Sequence, residues 1–145
     1  MRRALAFLLF FAALAVPTQV QAAAERTLKA RLLDIDRAHD RVRADVRGRP
    51  TVYSVANGSL LRGFRKGDLV LLRVRGATVV DVRLAVLTAE VLRSDERSAL
   101  LRIGGREERL ALARPALHDQ LKRGDFVRIE VEERNDGKRV VTRVF

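Results

Sequence analysis

The sequence predicts an all-β protein of two tandem five-stranded barrels, and three observations predict it. Apolar and charged residues alternate over short runs, turn-forming residues separate those runs, and the whole pattern is written twice. Lys66-Gly67-Asp68-Leu69-Val70 recurs as Arg123-Gly124-Asp125-Phe126-Val127. Ala30-Arg31-Leu32-Leu33-Asp34-Ile35-Asp36 recurs as Ala89-Glu90-Val91-Leu92-Arg93-Ser94-Asp95. The offsets, 57 and 59 residues, have the length of a small domain, too long for a solenoid unit.

The first residues read as a leader. Met1-Arg2-Arg3 is positive, Ala4 to Val16 is an uncharged apolar run, and Val20-Gln21-Ala22 offers a cleavage site. This is the layout of a secretory signal peptide over residues 1–22. The apolar run is too short for a membrane span, which takes about 20 residues, so the mature chain is expected to have no transmembrane segment. The chain has no cysteine, so disulfides cannot staple it. A periplasmic or secreted protein, stable on core packing alone, is the expectation.

Two modules follow, residues 23–84 and 85–145. In the first, Leu28, Ala30 and Leu32 open a strand. Asp36-Arg37-Ala38-His39-Asp40 then turns the chain into Val42, Ala44 and Val46, which alternate with Arg41, Arg43, Asp45 and Arg47. Period two marks a strand with one buried and one wet face. Gly48-Arg49-Pro50 leads to a third strand, and Ser59 to Phe64 reads as a helical turn capped by Ser59. Val70, Leu72 and Val74 form the fourth strand and Val79–Arg83 the fifth.

The second module repeats this order. Ser94 to Ser98 and Gly104-Gly105-Arg106 supply its turns, and Pro115 suits the opening position of its helical turn. Val127, Ile129 and Val131 alternate in its fourth strand, and Asn135-Asp136-Gly137-Lys138 is a hairpin turn. Val79-Val80-Asp81-Val82 and Val140-Val141-Thr142-Arg143 align as the closing strands. Five short strands with a helical turn between the third and fourth are the layout of a small OB-like or SH3-like barrel. No Gly, Pro or Ser linker separates the modules, so they are expected to abut rigidly or to share a strand.

The opening strand, the Asp-containing hairpin and the segment Leu121-Lys122-Arg123-Gly124-Asp125-Phe126-Val127 resemble the small periplasmic OB-like barrels. Those include the copper-chaperone barrel and related domains of unknown function, and the resemblance covers both modules. It implies the fold. It does not imply copper binding, because those members hold the metal with methionines, a histidine and a tryptophan. Here Met1 is the one methionine, and tryptophan is absent.

The chain carries a formal net charge of +11. The first module holds most of the mature excess at +7, against +2 for the second. Arg41, Arg43 and Arg47 are expected on one exposed strand face, with Arg73 and Arg75 near them. Such a face would attract an anionic envelope component, lipid or glycan; an envelope protein is the other expected partner. Arginine outnumbers lysine 25 to 4, a bias that also fits genomic composition and a merely solubilising surface.

Single-stranded nucleic acid is the alternative, disfavoured by export and by few aromatics. Beyond the leader there are Tyr53, Phe64, Phe126 and Phe145, and the phenylalanines read as core. A third reading is a divalent-metal carrier using Asp34, Asp36, His39 and Asp40, although that spacing matches no established ligand motif and suits a capped turn. His118 beside Asp119 lacks a partnered nucleophile, and no phosphate loop is present. The expected role is a non-enzymatic accessory binding or structural module without a cofactor.

Overall fold

The computed structural model describes residues 23–145, so the leader read in residues 1–22 lies outside the described residues. The chain is all-β. Its first five strands are β1 (Glu25–Asp36), β2 (Arg41–Val46), β3 (Arg49–Val55), β4 (Leu69–Arg75) and β5 (Thr78–Leu84). The next five are β6 (Val86–Ser94), β7 (Ser98–Ile103), β8 (Arg106–Leu112), β9 (Phe126–Glu133) and β10 (Arg139–Val144). Short 3₁₀ helices at Gly58–Leu61 and Pro115–Gln120 precede β4 and β9. The first is capped by the Asn57 side chain, which accepts the Ser59 amide, and not by Ser59 itself. Among the described residues no helix is long and apolar enough to cross a membrane.

The strands form two five-stranded sheets, each closed on itself, in the orders β1-β2-β3-β5-β4 and β10-β8-β7-β6-β9. All pairings are antiparallel except β3 with β5 and β8 with β10, each a parallel contact of two residue pairs. Long first strands make closure possible. β1 pairs with β4 through its first half and with β2 through its second, and a bulge at Leu33 bends it between them. β6 has its bulge at the matching Leu92. The Gly-Asp turns lock these bends: Gly67 N–H donates to Leu32 O, and Gly124 N–H to Val91 O, both at 2.7 Å.

Alternation decides what is buried. Ala30, Leu32, Val42, Ala44, Tyr53, Leu61, Val70, Leu72 and Val74 fill the first barrel. Ala89, Val91, Ala99, Leu101, Leu117, Ile129 and Val131 fill the second. Burying each such Leu, Val or Ile contributes about 1.5–3 kcal/mol. Leu71 breaks the pattern of belonging. It lies on β4 of the first barrel but points outward, and it is 3% exposed because it packs with the second barrel's core.

The seam is built around Leu71. One residue, Ala85, separates β5 from β6, and it is fully buried. Its N–H donates to Leu69 O in the first sheet, and its carbonyl accepts from Val131 N–H in the second. The backbone hydrogen bonding therefore passes from one sheet to the other without a loop. Side chains add to this: Lys29 Nζ reaches Glu130 at 2.7 Å and also pairs with Glu132, and Thr27 Oγ1 donates to Glu133 at 3.1 Å. Glu130, 7% exposed, is the one buried charged residue among those described. Burial by itself would lower the Lys29 ammonium, but the hydrogen bonds to Glu130 and Glu132 outweigh it and hold the pKa above its ordinary value.

Candidate functional site

The five arginines singled out from the sequence do not form one patch. Arg41 and Arg43 stand on the outer face of β2, exposed, with Ser54 and Val52 opposite them on β3. Arg47 leaves that strand. With Gly48 it makes the two-residue turn to β3, at φ 54° and 79°, the paired positive values of a type I′ hairpin. The second barrel builds the same turn from Gly104 and Gly105. Arg73 and Arg75 lie on β4, beyond β1, opposite Thr27 and Glu25. Arg43 lies opposite Asp34, seven β1 residues away from Thr27, which at about 3.3 Å per residue is a separation of roughly 20 Å.

Pairing divides them further. Arg73 lies 3.8 Å from Glu25 and 3.7 Å from Asp81, and Arg75 pairs with Glu25. None of the ion pairs among the described residues includes Arg41 or Arg43. The carboxylates opposite them in the register, Asp36 and Asp34, are turned to the backbone. Asp34 Oδ1 accepts the Ile35 amide at 2.9 Å, and Asp36 Oδ1 accepts those of Ala38 and His39 at 3.2 Å. Two guanidinium groups are thereby left open to solvent on one strand face.

The same hydrogen bonds account for the acidic cluster. Asp36 Oδ2 also meets His39 Nδ1 at 2.8 Å. That contact, with the backbone donors, holds the exposed Asp36 carboxyl below its ordinary pKa. Asp40 sits at φ 49° with its side chain against Gly58. Asp34, Asp36, His39 and Asp40 therefore build a turn, and no group of three or more His, Cys, Asp or Glu side chains converges among the described residues. Asp95, at the matching place in the second barrel, does the same work: the Arg97 and Ser98 amides at 2.8 Å hold its carboxyl below the usual range.

His118 meets Ser94 in the second barrel, where Ser94 Oγ lies 2.8 Å from Nδ1 and donates to Leu121 O at 2.9 Å. Since the hydroxyl proton goes to that carbonyl, the imidazole N–H is the donor to Oγ. This is the reverse of nucleophile activation, in which the ring accepts the proton. The contact instead pins the 3₁₀ turn to β6.

Two further features were missed from the sequence. The larger cleft at the seam, about 480 Å³, is lined by Lys29, Arg31, Asp45, Arg47, Leu71 and Glu132 among others. Asp45 Oδ1 is buried there without a hydrogen-bond partner in the structure. Phe126 and Phe145, read as core residues, are 77% and 57% exposed. They occupy outward positions on the second barrel, and nothing in their spacing distinguishes out from in where a strand begins or ends. No protein-family model matches the chain, and no curated protein matches it.

Proposed function

We propose that the chain is an exported, non-enzymatic binding or structural module of the cell envelope, made of a duplicated OB-like barrel. The first barrel offers the outer face of β2 and β3 to an anionic lipid or glycan. The OB-like reading is supported by the strand order, three antiparallel strands followed by a fifth strand parallel to the third. In such barrels the face of strands two and three takes up extended polar ligands. The duplication is supported by matching bulges, matching Gly-Asp turns and matching parallel closures in the two halves.

One observation carries the choice of partner. Arg41 and Arg43 are exposed on that face and unpaired, while Arg73, Arg75 and Arg83, three of the six other strand arginines of the first barrel, already hold carboxylates. Charge-assisted hydrogen bonds from a guanidinium to phosphate or carboxylate are strong enough to orient such a ligand. Single-stranded nucleic acid is less well served, because Tyr53 is 5% exposed and offers no stacking platform on this face.

The test is retention on phosphatidylglycerol vesicles and on an anionic polysaccharide matrix at low salt. Arg41→Glu with Arg43→Glu should abolish retention on one of them with an unchanged circular dichroism spectrum. Unaltered retention on both would refute the reading.

A further inference from the structure

A second groove, of about 450 Å³, opens at the seam and draws its walls from both barrels. Arg31, Arg128 and Arg143 line it, all three are exposed, and none joins an ion pair among the described residues. Arg31 donates to Gly67 O at 2.9 Å, which anchors it and leaves its remaining N–H groups free. Two side-chain carboxylates reach the groove, and both are engaged elsewhere. Glu130 holds Lys29, and Asp68 accepts the Arg65 amide at 2.8 Å.

The apolar part is as distinct as the basic part. Phe145 and Leu84 are 57% and 47% exposed, two of the four large hydrophobic residues exposed in the described chain, and both border this groove. The Phe145 N–H donates to Arg128 O at 2.8 Å, so the ring is held beside β9. The Arg128 and Arg143 guanidinium carbons lie 5.6 Å and 5.7 Å from its centroid. Guanidinium planes resting near an aromatic ring keep their N–H edges available to an oxyanion. Free cations bordering an uncovered apolar strip, in a concavity between two domains, are the elements of a small-molecule site.

We propose that this groove binds an anionic amphiphile: a carboxylate or phosphate monoester held by Arg128 and Arg143, its acyl or aryl body lying on Phe145 and Leu84. The site goes beyond the β2–β3 face and shares no residue with it. Its ligand chemistry has two sources, a free amphiphile or a lipid presented by a bilayer.

The experiment is calorimetric titration with dodecyl phosphate below its micelle concentration, with dodecanol as the uncharged control and phosphatidylglycerol vesicles as the bilayer source. One equivalent of dodecyl phosphate should bind, and dodecanol at least about ten-fold more weakly, as loss of a charge-assisted contact requires. Arg128→Gln with Arg143→Gln should weaken binding by roughly a hundred-fold. Arg143→Lys should recover part of it, and Arg41→Glu with Arg43→Glu should leave it unchanged. Failure of the β2–β3 reading is thus separable from failure here. Variant-sensitive binding of the monomer identifies a free amphiphile, and variant-sensitive binding of the vesicle alone identifies a lipid; either supports the site. Equal affinity for dodecanol, indifference to the double substitution, or oligonucleotide binding lost in that variant without any for dodecyl phosphate would overturn it. Both glutamine substitutions fall on exposed side chains, and circular dichroism checks that the barrels persist.

Discussion

Removing the Lys29 ammonium should uncouple charge from burial at the seam. Glu130 has a side chain 9% exposed and Lys29 one 30% exposed, so Lys29→Ala leaves a nearly buried carboxylate without its cation. Breaking a fully buried pair costs about 3–5 kcal/mol. Because Lys29 is about a third exposed and water can enter in its place, the figure here is about 2 kcal/mol. At about 2.1 cal/mol/K of unfolding entropy per residue, that lowers Tm by about 7 °C in a chain of this size. Lys29→Ala with Glu130→Ala removes both charges and should cost less than the sum of the single substitutions. The pH dependence has a definite sign. The Lys29 pKa lies above its ordinary value of 10.5, so its contribution is complete below that value and fades as pH rises through the folded-state pKa. The gap between wild type and Lys29→Ala should therefore stay constant through neutrality and close only in strong alkali. Thermal unfolding followed by circular dichroism reads all of this. A loss below about 0.5 kcal/mol, or additive single substitutions, would refute the reasoning.

Arg47 occupies a left-handed turn position that the second barrel gives to Gly104, so Arg47→Gly should stabilise the protein by about 1 kcal/mol, measurable in urea. His39→Ala should move the Asp36 carboxyl back up toward its ordinary 3.8, as followed by NMR titration. The stability that Asp36 contributes is present above that value and lost as pH falls through its lower folded-state pKa, so acid unfolding of the variant should begin at higher pH. Ser94→Ala should cost about 1–2 kcal/mol by leaving the Leu121 carbonyl and the His118 ring without their partner. Preferential loss of exchange protection around Pro115–Gln120 would show where it acts.

The repeated Gly-Asp turns and the alternation were enough to read ten strands and two cores from the sequence, because inward positions on an unbulged strand recur every second residue. Bulges defeated the same logic. At the closing strands the register skips Val80 in one barrel and Thr142 in the other, so Val79 matches Val141, one residue away from the alignment made by pattern. The outward Leu71 was also illegible, since an apolar residue on a wet face signals a neighbour only once the neighbour is known. Arginines at alternate positions looked equivalent in the sequence. Which of them is free depends on carboxylates brought alongside by strand pairing, or drawn away by turns such as that of Asp36.

The passage of one continuous run of chain through Ala85 fixes the distance between everything on the first barrel and everything on the second. Two modules on a flexible tether accept any partner whose binding points lie within reach, and the tether sets the effective concentration of the second encounter. Here there is no tether to adjust. On the proposed reading, an extended anion engaging both barrels would have to carry its charges at the spacing the protein presents, and the pair would select by length what each barrel alone would select only by charge.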